Sequence, residues 1–125
     1  MKKTILIADD EANLRKLVHT TLEDPGCRIL EAADGNAALD LAKREKPDLV
    51  LVDWMMPGLT GIEVMKALRA DPATATVPII MLTAKGQEKD REQAVKAGTD
   101  FYLIKPFSPL ELLKKVREVL ESTPR

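Results

Sequence analysis

Short apolar runs alternate with helical patterns along the whole of this chain, and that alternation restricts the fold to one class. Residues 4–8 (Thr-Ile-Leu-Ile-Ala) read as a first strand. Leu14, Leu17, Val18, Thr21 and Leu22 then recur at helical spacing until Pro25 and Gly26 stop the helix. Residues 28–32 read as a weaker second strand. Gly35 opens a helix with Ala38, Leu41 and Ala42 on one face, and Pro47 ends it. Residues 49–52 (Leu-Val-Leu-Val) form a continuous apolar run. Beyond Pro57 and Gly58 a helix carries Ile62, Met65 and Leu68. Pro78 introduces a fourth strand at 79–82. A polar helical segment, 87–97, is capped by Gly98. Residues 101–104 read as a fifth strand. Pro109 begins a last helix with Leu112, Leu113, Val116, Val119 and Leu120 on one face.

Strands and helices in strict alternation imply an α/β fold with a parallel sheet. Strands that are apolar throughout fit a sheet covered on both faces. With right-handed crossovers, the expected form is an open doubly wound sheet of five strands with five helices. A closed barrel would need eight such units.

The length of 125 residues suits one compact domain. No linker, repeat or low-complexity stretch divides it, so residues 1–121 are expected as the domain and 122–125 as a frayed tail. The 19 basic and 20 acidic residues leave a net charge of −1, which offers no broad attraction to nucleic acid or to an acidic membrane surface. The single cysteine, Cys27, excludes an internal disulfide, and the chain reads as cytoplasmic. The apolar run near the start ends at Asp9 and Asp10, too soon for a signal peptide, and no run is long enough to span a membrane.

Open parallel sheets bind ligands beyond the carboxyl ends of their strands. At those positions this sequence places Asp9, Asp10 and Glu11 after the first strand and Asp53 after the third. Thr83 and Ala84 follow the fourth, and Lys105 and Pro106 the fifth. Acids this close raise one another's pKa unless a cation joins them. A hard divalent ion is the natural partner, and Mg²⁺ fits best because it needs only one or two carboxylates beside substrate oxygens. Lys105 offers a point charge for a phosphoryl oxygen, and Thr83 a hydroxyl. The set forms a phosphoryl-transfer constellation, with Asp53 able to act as nucleophile. The first three acids could instead cap the first helix, and Asp53 could open the Pro-Gly turn. The fall of all four positions at corresponding strand ends favours the chemical reading.

These residues carry a resemblance. Asp9 and Asp10, the run Asp53, Trp54, Met55, Met56, Pro57, Gly58, Leu59, Thr60 and Gly61, then Thr83 and Ala84, then Lys105, Pro106 and Phe107 closely resemble the receiver domain of bacterial two-component response regulators. The resemblance covers essentially the whole chain. It implies a flavodoxin-like strand order of 2-1-3-4-5 and a non-enzymatic phosphoacceptor switch that assists its own phosphorylation and dephosphorylation. Asp53 would accept the phosphoryl group from a phosphohistidine on a partner sensor kinase or phosphotransfer protein. Asp10, Asp53 and the backbone carbonyl of Met55 would hold Mg²⁺, with Asp9 acting through water. Thr83 and Lys105 would contact the phosphoryl group, helped by the backbone N–H groups of Trp54 and Ala84. Tyr102 would be the rotating aromatic switch, with Thr83. The side chains of Met55 and Lys85 would tune the lifetime, and the Lys105–Pro106 bond would be cis. An output partner would be met by the last two helices and the fifth strand, and the chain would be a monomer or a weak phosphorylation-dependent dimer. No direct contact with nucleic acid or membrane is expected.

Other residues have plainer roles. His19, off the apolar face of the first helix, reads as a surface histidine, and Cys27 as a packed thiol. Met55, Met56, Met65 and Met81 read as core or loop filler. The segment 87–97 has few apolar anchors, which suits an element that must shift. A phosphatase using an aspartyl phosphate would need an acid two residues after Asp53, where Met55 stands. A nucleotide-binding module would need a Gly-rich turn after the first strand, where the acids stand.

Overall fold

The structure, a computed structural model, describes residues 3–84, 99 and 101–122. The strands are β1 (Lys3–Ala8), β2 (Cys27–Ala32), β3 (Leu49–Asp53), β4 (Ile79–Ala84) and β5 (Phe101–Lys105). The helices are α1 (Ala12–Leu22), α2 (Gly35–Glu45), α3 (Gly61–Ala70) and α4 (Pro109–Ser122). Four helices thus stand among the described residues where five were expected; the segment 87–97 and its Gly98 cap lie outside them.

All sheet pairings are parallel, in the order β2-β1-β3-β4-β5 that the resemblance implied. Successive side chains of a strand point to opposite faces. On β1, Leu6 and Ala8 therefore face one core with α2 and α3, while Ile5 and Ile7 face another with α1 and α4. All five residues of β3 are buried. That double burial is why β1, β3 and β4 read as unbroken apolar runs.

The helix ends are set by side chains. Asp34 Oδ1 accepts the Ala37 N–H at 2.8 Å and starts α2. Thr60 and Glu63 exchange bonds at 3.2 and 3.0 Å to start α3, and Ser108 and Glu111 do the same for α4. At the other end of α2, Lys46 adopts the left-handed conformation ahead of Pro47. Cys27 and Asp24 bridge the tight turn into β2, so that strand begins one residue before the sequence pattern suggests.

Candidate functional site

The sheet order puts β1, β3, β4 and β5 side by side, and their carboxyl ends meet at one rim. Register fixes what each contributes. Asp53 pairs with Leu82, and the next pairs across β4 and β5 are Thr83 with Ile104 and Ala84 with Lys105. Asp53, Thr83, Ala84 and Lys105 are thus the last residues of their strands rather than the first of the loops. Asp9 and Asp10 follow β1 directly.

Carboxylate oxygens of Asp9, Asp10 and Asp53 lie within 4.8 Å of one another. Asp9 is fully buried, Asp53 nearly so, and Asp10 is exposed. Lys105 Nζ donates to Asp9 Oδ2 at 2.9 Å and to Asp53 Oδ1 at 3.0 Å, with Glu11 further off at 3.9 Å. Burial pushes the Asp53 carboxyl above its ordinary range; the Lys105 hydrogen bond pulls the other way, and the charges of Asp9 and Asp10 push it up again. Burial alone would lower the Lys105 ammonium, but its bonds to Asp9 and Asp53 outweigh that and hold its pKa up. Among the described residues one ammonium faces three converging carboxylates, a surplus of negative charge, and hard oxygen donors at this spacing fit a small divalent cation.

The acids do not cap α1. Glu11 occupies the N-cap position without a side-chain bond, and its own N–H donates to Asp9 Oδ1 at 2.8 Å. Asp9 also accepts from Lys105 through its other carboxylate oxygen, Oδ2.

The loop from Asp53 to α3 is shaped by two close fits. Gly58 has φ +83°, a conformation that side chains disfavour. A Cβ at Gly61 would overlap the Asp53 carbonyl oxygen. Met56 is buried, whereas Met55, two residues after Asp53, is 59% exposed. The Lys105–Pro106 bond is cis, as expected.

Thr83 is buried at the rim, and Tyr102 is half-buried on β5, paired with Met81. The Trp54 N–H donates to the Leu82 carbonyl at 3.0 Å, continuing the β3–β4 ladder. Lys85 lies outside the described residues. Sequence reasoning missed Arg15, whose Nη1 donates to the Asp9 carbonyl at 2.6 Å. No local pattern links a residue of α1 to a carbonyl six positions earlier.

The response regulator receiver domain family matches residues 5–117. The chain is 47% identical over 121 residues to the phosphate regulon transcriptional regulatory protein PhoB of Pseudomonas aeruginosa, covering 97% of this chain and 53% of that protein. It is 47% identical over 116 residues to the transcriptional regulatory protein ResD of Bacillus subtilis, covering 93% and 47%. It therefore spans about half the length of these relatives. The solved chemotaxis response regulator CheY4 of Vibrio cholerae superimposes with a TM-score of 0.90 at 34% identity, over 95% of this chain and 99% of that one. The Francisella response regulator 1452 receiver domain does so at 0.88 and 34%, over 98% and 100%. With the sheet order, the rim of acids and the paired lysine in place, these matches establish that the chain belongs to the response regulator receiver domains, the phosphorelay modules of two-component systems.

Proposed function

We propose that Asp53 is the phosphoacceptor of this chain. The carrying observation is the single ammonium of Lys105 held between Asp9 and Asp53 at the meeting point of three carboxylates. Receiver domains take their phosphoryl group from histidine kinases or phosphotransfer proteins. An oxygen of Asp53 bonds to phosphorus, the donor's P–N bond breaks, and the imidazole nitrogen keeps the electron pair and takes up a proton. Receiver domains bind Mg²⁺ at an acidic pocket. Here Asp10, Asp53 and the Met55 carbonyl would hold it, with Asp9 through water, and it would supply neutralisation of the charge building on the transferring group. Lys105 moves its hydrogen bonds toward a phosphoryl oxygen, and the Thr83 hydroxyl and Ala84 N–H donate to others. Trp54 joins them only by giving up its bond to Leu82. The domain thereby assists its own phosphorylation and dephosphorylation.

A phosphoryl group adds roughly two negative charges and strong acceptors. Thr83 then turns toward it, Tyr102 occupies the vacated space, and the surface of β5 and α4 repacks to meet an output partner. A kinase-borne donor has room in a cleft of about 400 Å³ beside Lys105, between Leu14, Leu17 and Phe107. Among the described residues no helix is long and apolar enough to cross a membrane. We place the domain at residues 1–121 in the cytoplasm, as a monomer or a weak phosphorylation-dependent dimer without nucleic-acid contacts of its own. The relatives' names make them transcriptional regulators, so any DNA-binding part would lie beyond the region matched here.

The test is intact-protein mass spectrometry after incubation with an acyl phosphate and Mg²⁺. One added phosphoryl group in the parent and none in Asp53→Asn supports the assignment; equal labelling of both sinks it.

A further inference from the structure

Arg15 sits one turn into α1, and its side chain runs back toward the helix N-terminus, the direction helical side chains take. Its Nη1 donates to the Asp9 carbonyl oxygen at 2.6 Å, and its Nε donates to Glu31 Oε1 on β2 at 3.3 Å. That carbonyl belongs to the peptide joining Asp9 to Asp10. The rest of Asp9 is also tied down. Its N–H donates to the Ala32 carbonyl at 3.1 Å, Oδ1 accepts from the Glu11 N–H, and Oδ2 accepts from Lys105. The exposed Asp10 carboxylate has no such bond among the described residues. The direction it takes is set by the backbone that carries it, and Arg15 holds that backbone.

We propose that Arg15 is a positioning residue for the acid cluster. Its guanidinium fixes the plane of the Asp9–Asp10 peptide, so that Asp10 presents its carboxylate beside Asp53 to a divalent cation. Glu31 anchors the guanidinium and offsets its charge, so orientation is gained without adding a net positive charge behind the cation site. The proposal rests on the reading of Asp10 and Asp53 as cation ligands. A purely structural role, bracing α1 against β2, would leave cation affinity untouched.

Mg²⁺ titrations followed by the fluorescence of Trp54, the sole tryptophan and the neighbour of Asp53, separate the two roles. Each variant's thermal midpoint is measured without Mg²⁺. Arg15→Met keeps the apolar stem and removes both donors; it weakens Mg²⁺ binding roughly tenfold, the scale of groups that orient metal ligands from behind. Arg15→Lys recovers part of the loss, because an ammonium reaches one of the two acceptors, and Glu31→Gln loses less than Arg15→Met. Parent affinity in Arg15→Met with only a lowered midpoint overturns the proposal, and so does Arg15→Lys no better than Arg15→Met. If Arg15→Met does not fold, Arg15→Lys and Glu31→Gln are compared with the parent, and parent affinity in both overturns it. A parent and an Asp10→Ala variant that titrate alike would instead sink the ligand assignment beneath it.

Discussion

Lys105 Nζ donates to Asp53 Oδ1 at 3.0 Å across 52 residues of chain, which ties the edge strand β5 to the middle of the sheet. The same ammonium reaches Asp9, so the acid rim carries an internal cation of its own. A divalent ion bound among these acids meets a like charge a few ångströms away.

That repulsion gives opposite signs for two properties of one variant. Lys105→Met should bind Mg²⁺ more tightly, by roughly fivefold for partly screened charges at this range. It should also accept phosphoryl groups at least about tenfold more slowly, because the proposed donor to the transferring group is gone. Trp54 fluorescence reads the first and mass spectrometry the second. Weaker Mg²⁺ binding in the variant would mean that Lys105 orders the carboxylates more than it repels the ion.

His19 is expected to give the fold a pH dependence. Its Nδ1 lies 2.6 Å from Glu31 and its Nε2 2.8 Å from Glu23. Only the doubly protonated ring can donate to both carboxylates. Those two hydrogen bonds, Glu31 first, raise its pKa above the ordinary imidazole value, and Arg15 is the cation that shares Glu31. A folded-state pKa above the unfolded one gives stability that is present at low pH and is lost as pH rises through the folded value. Between about pH 6 and about pH 9 the parent's thermal midpoint should therefore fall by roughly 2 °C more than that of His19→Gln, a small figure because the pair is half-exposed. Parallel curves for the two proteins would mean that the ring stays neutral.

Gly61→Ala should cost about 1–3 kcal/mol, because the new Cβ overlaps backbone at Asp53 rather than a side chain that can swing away. Urea unfolding measures it. A loss under about 0.5 kcal/mol would show that the loop shifts freely, and phosphorylation would then be the property to examine.

Signal lifetime should depend on Met55, which stands exposed two residues after Asp53. A thioether cannot orient a water by a strong hydrogen bond. Met55→Asn combined with Lys85→Glu should speed spontaneous dephosphorylation about tenfold, or roughly 1.4 kcal/mol of barrier, with Mg²⁺ affinity nearly unchanged. Decay of labelled protein after donor removal tests it; an unchanged half-life assigns water access to other groups.

The sheet was legible because burial on both faces leaves its mark on every residue of a central strand. Residues 49–52 needed no pattern finer than continuous apolarity, and β2, half-exposed at an edge, was the weakest reading for the same reason. The rim residues were legible as strand ends, since parallel strands deliver their last residues to one side. What escaped was long-range pairing. Nothing near Asp9 indicates that its carboxylate holds a lysine 96 residues away, or that Arg15 and Glu31 hold its backbone from behind. Nor does the sequence around Trp54 reveal that its N–H closes the β3–β4 ladder.

The span from Asp9 to Lys105 also bears on how this domain is made. A chain emerging from a ribosome presents β1, β2 and β3 well before β5, and contacts of high sequence separation form last because their loops are longest to close. Every nascent fragment that stops short of Lys105 thus carries Asp9 and Asp53 without the ammonium that joins them in the finished fold. The rim's charge balance is completed only when nearly all of the matched region has been synthesised.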